Sequence, residues 1–175
     1  MALRIESRLI ENARAGGAGL ERLIECIWPE AYRIAFSILR DRGLAEDAAQ
    51  DACAAMARSL DKLKDSSVFA AWSYKIIVNH AVTTGRRRPK TQALESVAQR
   101  AVHFDDSDAF DLYNALATLP LEQRAAIILH YYGGLKSREI AAATGVPSST
   151  VRFYLMLARR SLRKALSAPN LQEAL

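Results

Sequence analysis

The chain has little cysteine: two residues in 175, Cys26 and Cys53. They do not form a CxxC pair, and neither has a nearby histidine. A disulfide framework and a zinc ligand set are therefore not indicated, and both are expected to be buried thiols on apolar helix faces in a reduced, cytosolic setting. Eight glycines and five prolines exclude a collagen-like or linker-like chain. No apolar run approaches the roughly 20 residues of a membrane span, so direct membrane insertion is not expected. Residues 1–12 carry Arg4, Glu6, Arg8 and Glu11 without an apolar core, which does not read as a signal peptide. His80, His103 and His130 have no carboxylate or nucleophile at matching spacing, and no glycine-rich phosphate loop occurs. No catalytic residue, metal or cofactor is expected, and the chain does not read as an enzyme.

What is present suits packed helices. Half of the residues are hydrophobic and a quarter are charged, enough for one average domain or two small ones. The 31 alanines, with abundant Leu, Arg and Glu, favour helix, and strand-like alternation is absent. Helices are expected near 3–14, 19–28, 44–60 and 68–84, with Pro29 starting a further one that carries the stripe Tyr32, Ala35, Phe36, Leu39. Asp41-Arg42-Gly43 reads as a turn, and the arginine run ending at Pro89 as a stop. Four more helices are expected near 109–118, 121–132, 137–144 and 148–166. The net charge of +5 is uneven: +4 over residues 1–90, −4 over 91–115 and +5 over 116–175. Two basic blocks flanking an acidic segment read as domain, linker, domain, with polyanions as partners of the ends. The fold class is all-α: two small helical domains joined by a flexible acidic linker, with boundaries at 1–88, 89–108 and 109–170. Nothing in the sequence sets the arrangement of the two.

Ser137 to Met156 has helix-turn-helix spacing. Ala141 is small where two helices would cross, and Gly145 falls where the turn needs a positive φ. Ile140, Val146, Val151 and Leu155 would share a core, and Leu155, Ala158, Leu162 and Leu166 would continue it. Pro147 precedes the second helix, which Ser148 or Ser149 can cap, leaving N–H groups near phosphate. Arg152, Arg159, Arg160, Arg163 and Lys164 lie on other faces. Such a second helix enters the major groove; a helical hairpin would use the same turn chemistry.

In the N-terminal half, the helix near 68–84 carries Phe69, Trp72, Tyr74, Lys75 and Asn79, and arginines follow. Aromatic and basic residues together suit stacking on unpaired bases and tracking a backbone, although Trp72 also fits a partly core position. Glu46, Asp47, Gln50 and Asp51 fall on one helix as i, i+4 neighbours. They make an acceptor patch for basic residues of another protein, or an ordinary solvated face.

The order of these features resembles the small, two-domain extracytoplasmic-function (ECF) group of bacterial sigma factors in the sigma-70 family. Leu44-Ala-Glu-Asp-Ala-Ala-Gln-Asp51 resembles the family's region 2.2. Phe69-Ala-Ala-Trp-Ser-Tyr-Lys-Ile-Ile-Val-Asn79 resembles the stretch that reads the −10 element. Leu116 through Arg163 resembles region 4, with Leu-Pro-x-x-x-Arg followed by the helix-turn-helix. The resemblance covers most of residues 3–166. It implies a subunit that binds core RNA polymerase, directs it to promoters and aids their melting. By resemblance, Glu46, Asp47, Gln50 and Asp51 contact the β′ clamp helices. Asp61 to Val68 forms a loop that receives a flipped −10 base. Trp72, Lys75 and Asn79 lie near the melted −10 strand, and Arg86, Arg87 and Arg88 near its backbone. Ser149, Thr150, Arg152, Phe153, Met156 and Arg159 face the −35 duplex, while the C-terminal domain docks on the β flap. The acidic linker threads toward the RNA exit path, where it would imitate RNA in a basic channel. An anti-sigma factor is an implied regulator.

The sequence departs from the family in places. Ala48 and Ala49 replace a bulkier Leu-Val and Cys53 a common Phe, so the core there should be thinner or filled from elsewhere. Ala70 and Val78 stand where arginines are usual. Phe153, Tyr154 and Leu157 make the groove-facing surface more apolar than usual, which suits thymine methyls or a regulator's surface. The alternative function is a stand-alone helix-turn-helix transcriptional regulator, but no dimerisation helix or effector pocket is evident for it.

Overall fold

A computed structural model describes residues 5–87, 112 and 114–166. Regular structure among the described residues is entirely helical. The N-terminal half contains α1 (Ser7–Arg14), α2 (Gly17–Leu39), α3 (Arg42–Ser59) and α4 (Phe69–Arg87). The C-terminal half contains a helical turn at 114–117, then α5 (Leu121–Tyr131), α6 (Ser137–Thr144) and α7 (Ser148–Leu166). Of the helix expected near 109–118, residues 112 and 114–117 are helical, while 109–111 and 113 lie outside the described residues.

Three expectations about the N-terminal half need correction. α2 is continuous through Pro29 rather than two helices. Proline forfeits one backbone hydrogen bond, but Leu23, Ile27, Ala31 and Ile34 form one buried stripe that runs past it. Packing on both sides of the proline outweighs the local break. α3 starts at Arg42, before the expected turn has ended. Arg40 takes a left-handed φ of 60°, and Asp41 caps the new helix, its side chain accepting from Leu44 N at 3.1 Å. α4 runs on to Arg87 instead of ending near Thr84.

α3 packs against both α2 and α4. Its inner face holds Ala45, Ala48, Ala49 and Ala52, all fully buried, followed by Cys53 and Met56. The thin core foreseen at Ala48 and Ala49 is closed by these neighbours, because alanines permit close helix approach. Tyr74 on α4 is fully buried and its hydroxyl donates to Glu30 Oε1 at 3.3 Å. Glu30 in turn accepts from Arg33 at 2.7–3.0 Å.

The two halves fold together. α5 lies against α4 and α2, and α6 touches α4. Gly85 sits at the crossing: a Cβ there would lie 3.0 Å from Leu121 Cδ1 and 3.1 Å from Leu39 Cδ2. Arg124, 8% exposed, sends its guanidinium into the seam. It donates to the Ile38 and Ser37 carbonyls at the end of α2 and to the Ala117 and Leu119 carbonyls of its own half. A buried charge is tolerable only when so hydrogen-bonded. Arg33 lies over the Tyr132 ring, 5.6 Å from its centroid. Burial opposes the Arg33 charge, but Glu30 and Tyr132 together outweigh it and raise its pKa.

Two side chains lie on the other side of the surface from their expected place. Cys26 is exposed, because it falls beside the Leu23–Ile27 stripe rather than on it. Leu166 is 51% exposed, so the buried stripe of α7 ends earlier, at Val151, Leu155, Ala158 and the half-buried Leu162. Cys53 is buried as expected, and burial pushes its thiol up to about 11.

Candidate nucleic-acid interface

The helix-turn-helix forms as its spacing requires. α6 and α7 are joined through Gly145 at φ 70°, the left-handed value the turn needs. Glu139 accepts from the Lys136 backbone N–H at 2.6 Å and so fastens the start of α6. Ile140, Val151 and Leu155 are buried between the helices. With that face of α7 packed, the opposite one is presented: Ser149, Arg152, Phe153, Met156 and Arg159 are exposed and Thr150 is half-buried. Phe153 is 52% and Met156 55% exposed, so two large apolar groups stand among the polar ones.

Arg159 is the most constrained of the set. Its Nε donates to the Tyr131 hydroxyl at 3.1 Å, and its Nη2 lies 3.0 Å from His130 Nε2. His130 and Tyr131 end α5, and sequence reading gave neither a role in this surface. Only the fold brings the end of one helix beside the middle of another.

In the N-terminal half, Glu46, Asp47, Gln50 and Asp51 are exposed along one side of α3, opposite its alanine face. On α4, Trp72 is half-buried against Phe69, with ring centroids 5.7 Å apart. Lys75 and Asn79 are half-buried, and Arg86 and Arg87 are exposed. Arg88 lies outside the described residues, as does the whole of 89–108. Asp51 and Asn79 meet across a polar cleft of about 210 Å³, lined also by His80, Thr83, Thr84 and Arg87. His80, Thr83 and Thr84 were missed as members of this site. Their helical spacing from Asn79 was visible, but the wall supplied by α3 was not.

The loop between α3 and α4 is anchored through buried leucines and through its turn Ser66–Val68, which packs against α1 and α4, while several of its side chains stay outside. Leu60 and Leu63 are buried, and Arg14 donates to the Leu63 carbonyl. Asp65 accepts from Ser67 N at 2.8 Å, and this bonding holds its carboxyl below the usual range. Lys62, Lys64, Ser67 and Val68 face outward.

The seam between the halves engages one of these residues. Arg86 Nε lies 3.4 Å from Glu122 Oε1 on α5. The guanidinium foreseen near the −10 backbone is thus paired across the seam in this arrangement.

No helix among the described residues is long and apolar enough to cross a membrane. They hold no group of three or more His, Cys, Asp or Glu residues suited to a metal ion.

Comparison with known proteins matches both halves to one family. Sigma-70 region 2 matches residues 23–91, and Sigma-70, region 4 matches residues 109–162. The RNA polymerase sigma-H factor of Pseudomonas aeruginosa is 31% identical over 155 residues, which cover 78% of this chain and 79% of that protein. The ECF RNA polymerase sigma-E factor of Escherichia coli is 30% identical over 141 residues, covering 69% and 72%. The solved structure of the sigma factor RpoE with the anti-sigma factor NepR from Bartonella quintana shares the fold. Its TM-score is 0.64 at 24% identity, covering 86% of this chain and 98% of that one. With its region 2 and region 4 in the family's order and a helix-turn-helix formed in the second, this chain belongs to the sigma-70 family and is an RNA polymerase sigma factor of the ECF group.

Proposed function

We propose that this sigma factor divides promoter recognition between two surfaces and carries out no chemistry of its own. The acidic stripe Glu46, Asp47, Gln50 and Asp51 engages the β′ clamp helices of core polymerase. Trp72, Lys75 and Asn79 hold the melted −10 strand and Arg86 to Arg88 its backbone, while the 61–68 loop takes a flipped base. Ser149, Thr150, Arg152, Phe153, Met156 and Arg159 read the −35 duplex, and the C-terminal domain docks on the β flap. The functional units are 1–88 and 109–170, with 89–108 as the acidic tether. The chain works in the cytoplasm, where polymerase and promoter DNA are, and an anti-sigma factor restrains it. The observation that carries this reading is the pairing of a formed helix-turn-helix with a separate polar cleft and acidic stripe. A stand-alone regulator has no use for the latter two.

Both elements can be read at once only if the halves part. Twenty-five positions of duplex at about 3.4 Å each span roughly 85 Å, far beyond the reach of two helical units in contact. The tether 89–108, fully extended, reaches roughly 70 Å, and the breadth of the two helical units supplies the remainder. The closed seam is therefore a resting arrangement, and Arg86 is released from Glu122 when it opens.

Run-off transcription with purified core polymerase on a promoter library tests the reading. Initiation from a defined subset of templates is expected. Tight, specific duplex binding by the isolated chain, with no initiated RNA when core polymerase is added, would instead identify a stand-alone regulator.

A further inference from the structure

We propose that His130 and Tyr131, at the end of α5 and outside the recognition helix, are positioning residues that aim Arg159 at the promoter duplex. The proposal rests on the reading of Arg159 as a −35 contact and adds how that contact is built.

The hydrogen bonds define the state of each group. His130 Nδ1 lies 2.8 Å from the Leu135 carbonyl oxygen, which can only accept, so Nδ1 carries the proton. In that tautomer Nε2 presents a lone pair, and this accepts from Arg159 Nη2 at 3.0 Å. Tyr131 packs edge-on to the His130 ring, with centroids 4.9 Å apart at 77°, and its hydroxyl accepts from Arg159 Nε at 3.1 Å. The guanidinium also lies near the Tyr131 ring, its Cζ 5.7 Å from the centroid.

Nε–H and the nearer Nη2–H point from the same edge of a guanidinium. His130 and Tyr131 together occupy that edge. The end of the fork, one N–H from Nη1 and one from Nη2, remains directed away from them. That pair matches two oxygens of a phosphate, or O6 and N7 of guanine. An exposed arginine on a helix would ordinarily sample many rotamers and lose that freedom on binding. Here α5 has ordered it beforehand.

The test uses holoenzyme assembled on core polymerase, titrated with a promoter carrying the preferred −35 element and with the same promoter scrambled there. Tyr131→Phe keeps an exposed ring and removes only the hydroxyl. His130→Leu removes the acceptor, and His130→Gln restores one. Tyr131→Phe and His130→Leu are each expected to weaken binding to the promoter with the preferred −35 element roughly 2–10-fold, the scale of ordering one long side chain. His130→Gln should recover part of the loss, and neither change should add to the loss in an Arg159→Ala background. The scrambled promoter distinguishes the fork's target: an equal loss there, with a shallower salt slope, marks a phosphate, and a loss confined to the intact −35 element marks a base edge. Arg159→Ala weakening binding while Tyr131→Phe leaves it unchanged would overturn the proposal, and Tyr131→Phe decides even if His130→Leu folds poorly. No effect of Arg159→Ala on −35 binding would instead remove the reading beneath it.

Discussion

Arg152 and Arg87 are both exposed arginines, yet they sit on elements with different tasks. Arg152 projects from the exposed face of α7, the one proposed to read base edges. Arg87 ends α4, beside the polar cleft. Arg152→Ala is expected to cost about 1–3 kcal/mol at preferred promoters and to relax specificity at one position. Arg87→Ala should weaken binding evenly across promoters, with a salt slope shallower by about 1. Equal effects on every promoter, in filter-binding titrations of the two holoenzymes, would contradict this division. Phe153 and Met156 suit thymine methyls, and replacing thymine by uracil in the −35 duplex should weaken binding. The cysteines can be checked by thiol labelling at pH 8. Exposed Cys26 should react with the native chain, and Cys53, buried with its thiol near 11, only after unfolding. Because burial disfavours the Cys53 thiolate, its contribution to stability is full below about 9 and declines as pH rises toward 11. Cys26 was misplaced because its helix has more apolar residues than one stripe can bury, and composition does not say which stripe faces inward.

Among the elements, the helix-turn-helix was the most legible. Its two helices run from Ser137 to Thr144 and from Ser148 to Leu166, within a residue or so of the ranges its spacing implied. The turn chemistry explains why: Gly145 occupies a backbone region that costs other L-residues about 1–2 kcal/mol. Gly145→Val should therefore lower the thermal midpoint by several degrees, read by circular dichroism. α2 was the least legible. Proline is a strong local signal, and it was overruled by a buried stripe that only packing against α1, α3 and α4 creates. The start of α3 was misjudged for a related reason. Asp41 reads equally well as a turn residue or a cap, and the left-handed Arg40 beside it decides the matter.

For the molecule as a whole, the closed seam is the main result of tertiary structure. Gly85 offers a way to test it without replacing a residue proposed to contact DNA. Gly85→Ala should be nearly neutral in stability: the Leu121 and Leu39 side-chain ends need shift only slightly, and the helix gains about 0.8–1.0 kcal/mol of propensity. Gly85→Leu has no such room and should drive the halves apart, increasing the radius of gyration in small-angle scattering. It should also ease promoter capture by the holoenzyme, since less work remains to open the seam. An unchanged scattering profile for Gly85→Leu would show that the seam does not hold the halves together. Arg124→Met should be the costlier change, by about 2–4 kcal/mol, because it orphans carbonyls on both sides of the seam.

The chain's local chemistry was enough to determine an all-helical fold, the family, the helix-turn-helix and which residues carry charge along α3, α4 and α7. These follow from propensity, spacing and turn geometry, which act over a few residues and are written in order along the chain. The docking of the halves, the cleft between Asp51 and His80, and the bracing of Arg159 by His130 and Tyr131 were decided only in three dimensions. Each joins residues from different helices, and their meeting depends on which faces pack, a balance of many weak contacts with no signature in any one segment.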